Sequence, residues 1–527
     1  MSELSLSHRT EYSDMPNALI RLLAVLFLAG SGGCATVDFD SPKEESYAPV
    51  ETEATRIGRS VSEFSEEQVG RSGFLLVPEA LNAMAFRVSG AARAEQTIDV
   101  MYYLINTDTA GLIFINSLIE AAERGVRIRL LLDDILTGGY DRGLMALDAH
   151  PNIQIRMFNP FARRGALSRN LNFLGDFGRL NRRMHNKAFI IDNQAAVIGG
   201  RNIGDEYFAA DEVANFGDLD VFAIGPVVRE ISEMFDLYWN HRLAVPVNRV
   251  IDPPEQPFQE IAELRVRIAS ALEDVDVDRY TRVVDEVRDR ERVYHDQFSW
   301  VPYDLVYDDP DKADKELAAG ARTIVPPLRE AIVAGEEELM IISPYFVPRS
   351  SMEGFRELRD HGMSIKVVTN SLTANNHLIV HSGYAPTRKP LLRMGVELYE
   401  VRRDAQVQGI EETGMARSGG TLHTKAFIVD REVLFVGTFN WDPRSKNLNT
   451  EMGIILYAPE LARANAELVM RRIPTHAYTL RLDDRDRIEW VTRTDGKEVI
   501  YTKEPESTWW QRFKVGFYRM LPIEEQL

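Results

Sequence analysis

A chain of 527 residues, 45% hydrophobic and 27% charged, is too long for a single core and has the composition of two globular domains plus extras. Its formal net charge of -19 argues against a general nucleic-acid binder, which carries a basic excess. The single cysteine excludes an internal disulfide framework and a thiolate-rich zinc site.

That cysteine, Cys34, closes the stretch "LIRLLAVLFLAGSGGC". The apolar run Leu22 to Ala29 is far short of the roughly 20 residues that span a bilayer. A basic Arg21, a short apolar run and then small residues form the layout of a secretory signal. With a cysteine directly after them, residues 1–34 resemble a bacterial lipoprotein signal, in which Cys34 is lipidated and becomes the mature N-terminus. Ser31 stands where that pattern usually has Leu, and the acids Glu3, Glu11 and Asp14 precede Met15, so a start at Met15 gives the closer match. The resemblance implies a protein lipid-anchored in the bacterial cell envelope and facing the periplasm. The polar, acidic residues 35–70 read as a flexible tether.

Next comes a first α/β unit, 71–250. "EQTIDVMYYLI" (95–105) is a strand pattern, "AGLIFINSLIEAAERG" (110–125) has helical spacing ending at Gly, and "VRIRLLLDD" (126–134) and "IQIRMFNPF" (153–161) are further strands. Residues 251–320 read as a connector containing the charged helical stretch 278–297. A second unit, 321–480, repeats the order with a strand at 337–347, a helix at 350–362 and strands at 363–370 and 396–401. The expected fold class is α/β, two tandem α-β-α sandwiches, with a C-terminal tail at 481–527.

In each unit the next segment carries chemistry. "HNKAFIID" (185–192) and "HTKAFIVD" (423–430) share His-x-Lys-x4-Asp. Six residues after each Asp stands a Gly, in "GGRN" (199–202) and "GTFN" (437–440), and further on "DLDVFAIGP" (218–226) aligns with "EMGIILYAP" (451–459). On a strand, His185 and Lys187 share a face with Phe189, while Ala188 and Ile190 point away. Asp192 falls where the strand turns, and the return strand "AAVIGG" (195–200) brings Asn202 to the same spot. His423, Lys425, Asp430 and Asn440 repeat the arrangement. Facing the two copies makes a pocket of two imidazoles, two ammonium groups and two amides, which suits a phosphodiester. Lysine and amide offset charge on the non-bridging oxygens, one His attacks phosphorus, and the other protonates the leaving oxygen.

Both motifs resemble the signature of the phospholipase D superfamily over roughly residues 70 to 480. That resemblance implies one active site at the interface of two similar domains, a phosphohistidine intermediate, and no cofactor or obligatory metal. Carried over, it implies His185 as nucleophile and His423 as general acid, with the reverse assignment left open by sequence. It implies phosphate binding by Lys187, Lys425, Asn202 and Asn440. Asp218 and Glu451 match the acids that hold the histidines, and Asp192 and Asp430 take a structural role. "SPYFVP" (343–348), "GGRNIGDEYF" (199–208), "GYAPTRKPLLRMGVELYE" (383–400) and the ending "LPIEEQL" resemble bacterial cardiolipin synthases. This branch implies phospholipid partners, phosphatidylglycerol and also phosphatidylethanolamine, at a membrane surface. The alternatives are a phospholipase D that uses water as acceptor, and, with less support, a phosphodiester nuclease or a non-catalytic lipid-binding scaffold. Many relatives carry Ser at the second position of "GGRN", and the Gly here leaves the Asn in place.

Three other features have two readings each. Arg163, Arg164, Arg169, Arg179, Arg182 and Arg183 form either a solvated loop or a surface for anionic head groups. "WWQRFKVGFYRML" (509–521) is either an interfacial segment or packed on the protein's own surface. His377 and His381 have a helical zinc spacing but no HExxH context, and no metal site is expected there.

Overall fold

The computed structural model describes residues 37–527 except 69, 209–213, 254, 256, 274–295, 315–316, 318–319, 405–418, 495, 522–525 and 527. Cys34 and the signal segment lie outside these residues, as does nearly all of the 278–297 stretch.

The first half contributes β1 (Gly73–Val77), β2 (Thr97–Tyr102), β3 (Arg127–Asp133), β4 (Ile153–Phe158), β5 (Ala188–Ile191), β6 (Ala195–Gly199), β7 (Ala214–Gly217), β8 (Asp220–Ile224) and β9 (Ala244–Pro246). β10 (Ser299–Trp300) and β11 (Tyr303–Tyr307) follow. The second half adds β12 (Glu338–Ile342), β13 (Ser364–Asn370), β14 (Glu397–Val401), β15 (Gly419–Leu422), β16 (Ala426–Val429), β17 (Val433–Gly437), β18 (Met452–Tyr457), β19 (Ala477–Leu482), β20 (Ile488–Thr494) and β21 (Lys497–Tyr501).

The first sheet runs β10-β1-β8-β6-β5-β2-β3-β4-β9 and the second β11-β18-β17-β16-β12-β13-β14-β19-β20-β21. Matched strand for strand from β1 to β9 and from β11 to β19, the two orders are the same. β2, β3 and β4 are parallel, as are β12, β13 and β14. Parallel strands buried on both faces read as unbroken apolar runs, which is why "VRIRLLLDD" was recognisable. β12 stops at Ile342, short of the expected 347, because Pro344 has no N–H to offer a ladder and the Ser343 hydroxyl turns back to the Tyr345 carbonyl.

The two sheets pack face to face. Ala188 and Ile190 of β5 share one core with Ala426 and Ile428 of β16 and with the helices Pro226–Asn240 and Pro459–His476. Phe189 points the other way, under the first half's outer helices, and Phe427 does the same in the second half. The alternation expected along the motif strand is thus the alternation between interdomain and outer layers.

Three boundaries differ from expectation. Residues 38–55, expected as a free tether, lie along the first half. Lys43 donates to the His241 and Ala244 carbonyls, Arg129 to the Ser46 carbonyl at 2.7 Å, and Asp236 accepts from the Ala48 N–H at 3.0 Å. These bonds tie the segment to β3, to the helix Pro226–Asn240 and to the carbonyls leading into β9, which a composition-based reading cannot see. The connector belongs to both sheets: the helix Pro257–Glu273 packs Leu264, Ile268 and Leu272 on the first core, β10 pairs with β1, and β11 pairs with β18. The second sheet extends beyond residue 480 through β20 and β21.

Candidate active site

Each motif strand begins just after its Lys. The expected ladder through His185 does not form because its backbone N–H is taken at 2.9 Å by Thr450 of the other half. His423 likewise donates its N–H to the Gly217 carbonyl at 2.8 Å, next to a parallel pairing of β7 with β15. The backbone before each histidine is therefore stitched to the residue preceding the opposite half's acid.

The side chains cross over in the same way. His185 Nδ1 lies 2.8 Å from Glu451 Oε2, and His423 Nδ1 lies 2.6 Å from Asp218 Oδ2. An ionised carboxylate only accepts, so Nδ1 carries the proton in each ring and Nε2 presents its lone pair. Tyr103 packs edge-on against His185 at 5.2 Å, while Tyr207 and Phe216 flank His423 at 5.1 Å each. These three aromatics were missed from sequence because no motif spacing marks them. Lys187 donates to the His185 carbonyl at 2.7 Å, and Lys425 Nζ sits 2.9 and 3.1 Å from the two ring nitrogens of His423. Asn202 donates to the Tyr207 hydroxyl at 2.9 Å. The buried Oδ1 atoms of Asn202 and Asn440 have no partner among the described residues, which leaves both amides with bonding capacity for a ligand.

The acids are supported differently. Glu451 accepts from Thr438 and, at 2.8 Å, from Ser445. In the first half Gly200 aligns with Thr438, and a Cβ added there would run into the Asp218 carboxylate. The Gly of "GGRN" is thus fitted to its acid, a constraint that sequence alone did not show.

Asp192 and Asp430 anchor the backbone beside each motif. Both sit in left-handed conformations, φ 49° and 51°, which Asp tolerates. Asp192 accepts from the backbone N–H groups of Glu95, Gln96 and Thr97 at 2.8 to 3.2 Å, and Asp430 from Glu336, Glu337 and Glu338 at 2.8 Å. Each fixes the start of the strand beside its motif, β2 or β12.

Burial pushes the His185 imidazole down to about 4, against the opposing pull of Glu451, and it pushes His423 down to about 3, helped by Lys425. Burial also lowers Lys187 to about 7 and Lys425 to about 8. Burial would raise the Asp218 carboxyl, but His423 and Lys425 hold it below its ordinary range. His185 also feels Lys425, and His423 feels Lys187, so the two copies form one electrostatic unit. Burial raises Asp442, which accepts from the Ser445 N–H at 2.7 Å, to about 7. The free site at neutral pH therefore holds two neutral imidazoles and two readily discharged lysines. With the phosphodiester expected from the motifs in place, its negative charge would offset the lysines and favour proton uptake at the His423 Nε2. Since kcat/KM reports the free protein, in which His423 is discharged and has to take up a proton, it is expected to decline as pH rises from about 5 to 7. The fall should steepen through about 7 to 8, where Lys187 and Lys425 also lose charge. A pH series on a short-chain monomeric substrate checks this, and a profile rising through pH 8 contradicts it.

The remaining candidates fall elsewhere. Arg164 pairs with Asp134 at 2.6 Å and Asp141 at 2.7 Å, Arg179 with Asp176 at 2.6 Å, and Arg183 with Asp133 at 3.1 Å. Arg169 and Arg182 donate to backbone carbonyls of Ile135 and Lys312, both at 2.8 Å. Most of the arginine stretch thus braces the protein itself. His381 is buried and bonded to Arg388 at 2.9 Å, while His377 packs edge-on against Tyr345. His241, Asp311 and Asp314 cluster within 4.8 Å, but Arg242 already pairs with Asp314 at 2.5 Å.

The family profile described as "Cardiolipin synthase, PLD-like domain" matches residues 90–239 and 328–471, one crossed His and one crossed acid in each segment. The chain belongs to this PLD-like family. Cardiolipin synthase C of Escherichia coli (strain K12) is 40% identical over 475 residues, 89% of this chain and 99% of that protein. An uncharacterized protein of Helicobacter pylori (strain ATCC 700392 / 26695) is 29% identical over 506 residues, 95% and 98% of the two chains. The crystal structure of phosphatidylserine synthase from Haemophilus influenzae Rd KW20 has a TM-score of 0.53 at 13% identity. It covers 80% of this PLD-like chain and 92% of its own, a likeness of fold.

Proposed function

We propose that the protein is a phosphatidyltransferase of the cardiolipin synthase type. The observation that carries this reading is the crossed pair of histidine–carboxylate contacts, with two lysines and two buried amides around them. His185 Nε2 attacks the phosphorus of a donor phospholipid, the bond to the leaving alkoxide breaks, and His423 supplies its proton. The acceptor hydroxyl of phosphatidylglycerol then gives its proton to His423 and attacks phosphorus, releasing His185. Lys187, Lys425, Asn202 and Asn440 hold the non-bridging oxygens. The protein works at the envelope membrane, lipid-anchored through Cys34 and facing the periplasm, and Cys34→Ser should release it from the membrane fraction.

The test is incubation with labelled phosphatidylglycerol and phosphatidylethanolamine. Cardiolipin as the labelled product is the expected result. Phosphatidic acid instead would make the protein a hydrolase, and no turnover would leave it a lipid-binding scaffold.

A further inference from the structure

The helix Trp509–Tyr518 presents an apolar stripe that the protein leaves uncovered. A capping box fixes its start, with Thr508 accepting from the Gln511 N–H and Gln511 reaching back to the Thr508 N–H. At 3.6 residues per turn, Trp509, Trp510, Phe513 and Phe517 fall within an arc of about 100°, and the buried Val515 lies opposite. Those four are 68%, 52%, 49% and 48% exposed, and Met520 just beyond is 73% exposed. A surface helix normally turns its apolar face inward, and this one is reversed. Trp509, Trp510 and Phe513 stack on one another at 5.3 to 5.9 Å. Lys514 lies over Trp510 at 5.6 Å on one flank of the stripe, and Arg512 and Arg519 occupy the other, in a chain of net charge -19.

The helix is held at a fixed place relative to the cleft. Just before it, Glu504 pairs with buried Arg388 and lies 3.6 Å from His381, and Arg388 also pairs with Glu400 at 2.7 Å. His381 belongs to the helix Leu378–Tyr384, which packs against Trp509–Tyr518. At the other end of that helix, His377 packs edge-on against Tyr345 at 5.5 Å, and the Tyr345 hydroxyl donates to Asn376 at 2.8 Å. Tyr345 in turn feels Asp442 and Tyr103 beside the histidines.

We propose that this outward stripe docks the protein on an anionic phospholipid surface and seats the catalytic cleft there. Aromatic rings settle at the head-group level, and the basic flanks meet anionic lipid. A second copy covering the stripe would set basic flank against basic flank, which disfavours that occupant. The proposal rests on the phospholipid reading above.

The test uses the full chain with Cys34→Ser, so that no acyl chain contributes to binding. Expected is salt-sensitive partitioning onto vesicles of phosphatidylglycerol and phosphatidylethanolamine, at least about 10-fold weaker with Trp509→Glu and Phe513→Glu combined. Turnover of a monomeric short-chain phosphatidylglycerol should be unchanged, which also shows that the variant folds. If it does not fold, Lys514→Glu should weaken binding to these vesicles several-fold and leave monomer turnover intact. Equal vesicle binding by parent and variant overturns the docking surface, as does a parent dimer that the variant dissociates. Loss of monomer turnover in the parent would instead break the proposed chemistry, because vesicle binding is read separately.

Discussion

Replacing His185 by alanine is expected to lower turnover by at least about 10⁴-fold, and His423→Ala by about 10²- to 10⁴-fold, although the two lie in different halves. The reason is the exchange of partners: His185 depends on Glu451 and His423 on Asp218, so no half contains a complete site. The two losses should differ in kind. On the proposed mechanism no covalent phosphohistidine forms without His185, and no choice of substrate should restore turnover. Without His423 the missing element is the proton for the leaving oxygen, so a nitrophenyl phosphodiester, whose leaving group needs none, should recover much of the rate. Rate measurements on a phospholipid and a nitrophenyl ester with both variants separate the roles. Substantial phospholipid turnover by either variant would refute a shared site, and the opposite pattern of recovery would reverse the assignment.

Asp192→Ala is expected to lower folding stability by about 3–5 kcal/mol. The carboxylate is fully buried and accepts from three backbone N–H groups at the start of β2. Truncation leaves those donors without a charged acceptor, and such bonds contribute about 1.5–3 kcal/mol each before relaxation. Its carboxylate is engaged with the backbone at residues 95–97, so kcat of the molecules that remain folded should change little. Urea unfolding and active-site-normalised rates check both halves of the statement. A stable protein with abolished kcat would move Asp192 from anchor to chemistry.

What could be read in advance follows from which physics is local. The parallel strands announce themselves as apolar runs, and the helix Thr109–Glu123 as a 3.6-residue repeat closed by Gly125 with φ 96°. The repeated His, Lys, Asp, Asn and acid were legible because duplication wrote them twice at one spacing. Pairing across the halves was not legible, since no spacing within a copy says whose carboxylate meets whose imidazole. Tyr103, Tyr207 and Phe216 reach the site only through the packing of distant segments. The lie of residues 38–55 depends on unpaired carbonyls and side chains elsewhere, and composition is blind to those.

Two identical subunits around a two-fold axis would be obliged to use the same residue on both sides of the phosphorus. Joining the halves in one polypeptide lifts that obligation. Gly200 with Asp218 now faces Thr438 with Glu451, and Lys425 reaches the ring of His423 while Lys187 donates to the His185 carbonyl. Attack and proton delivery are unequal tasks, and the covalent link lets mutation tune each side without altering its counterpart.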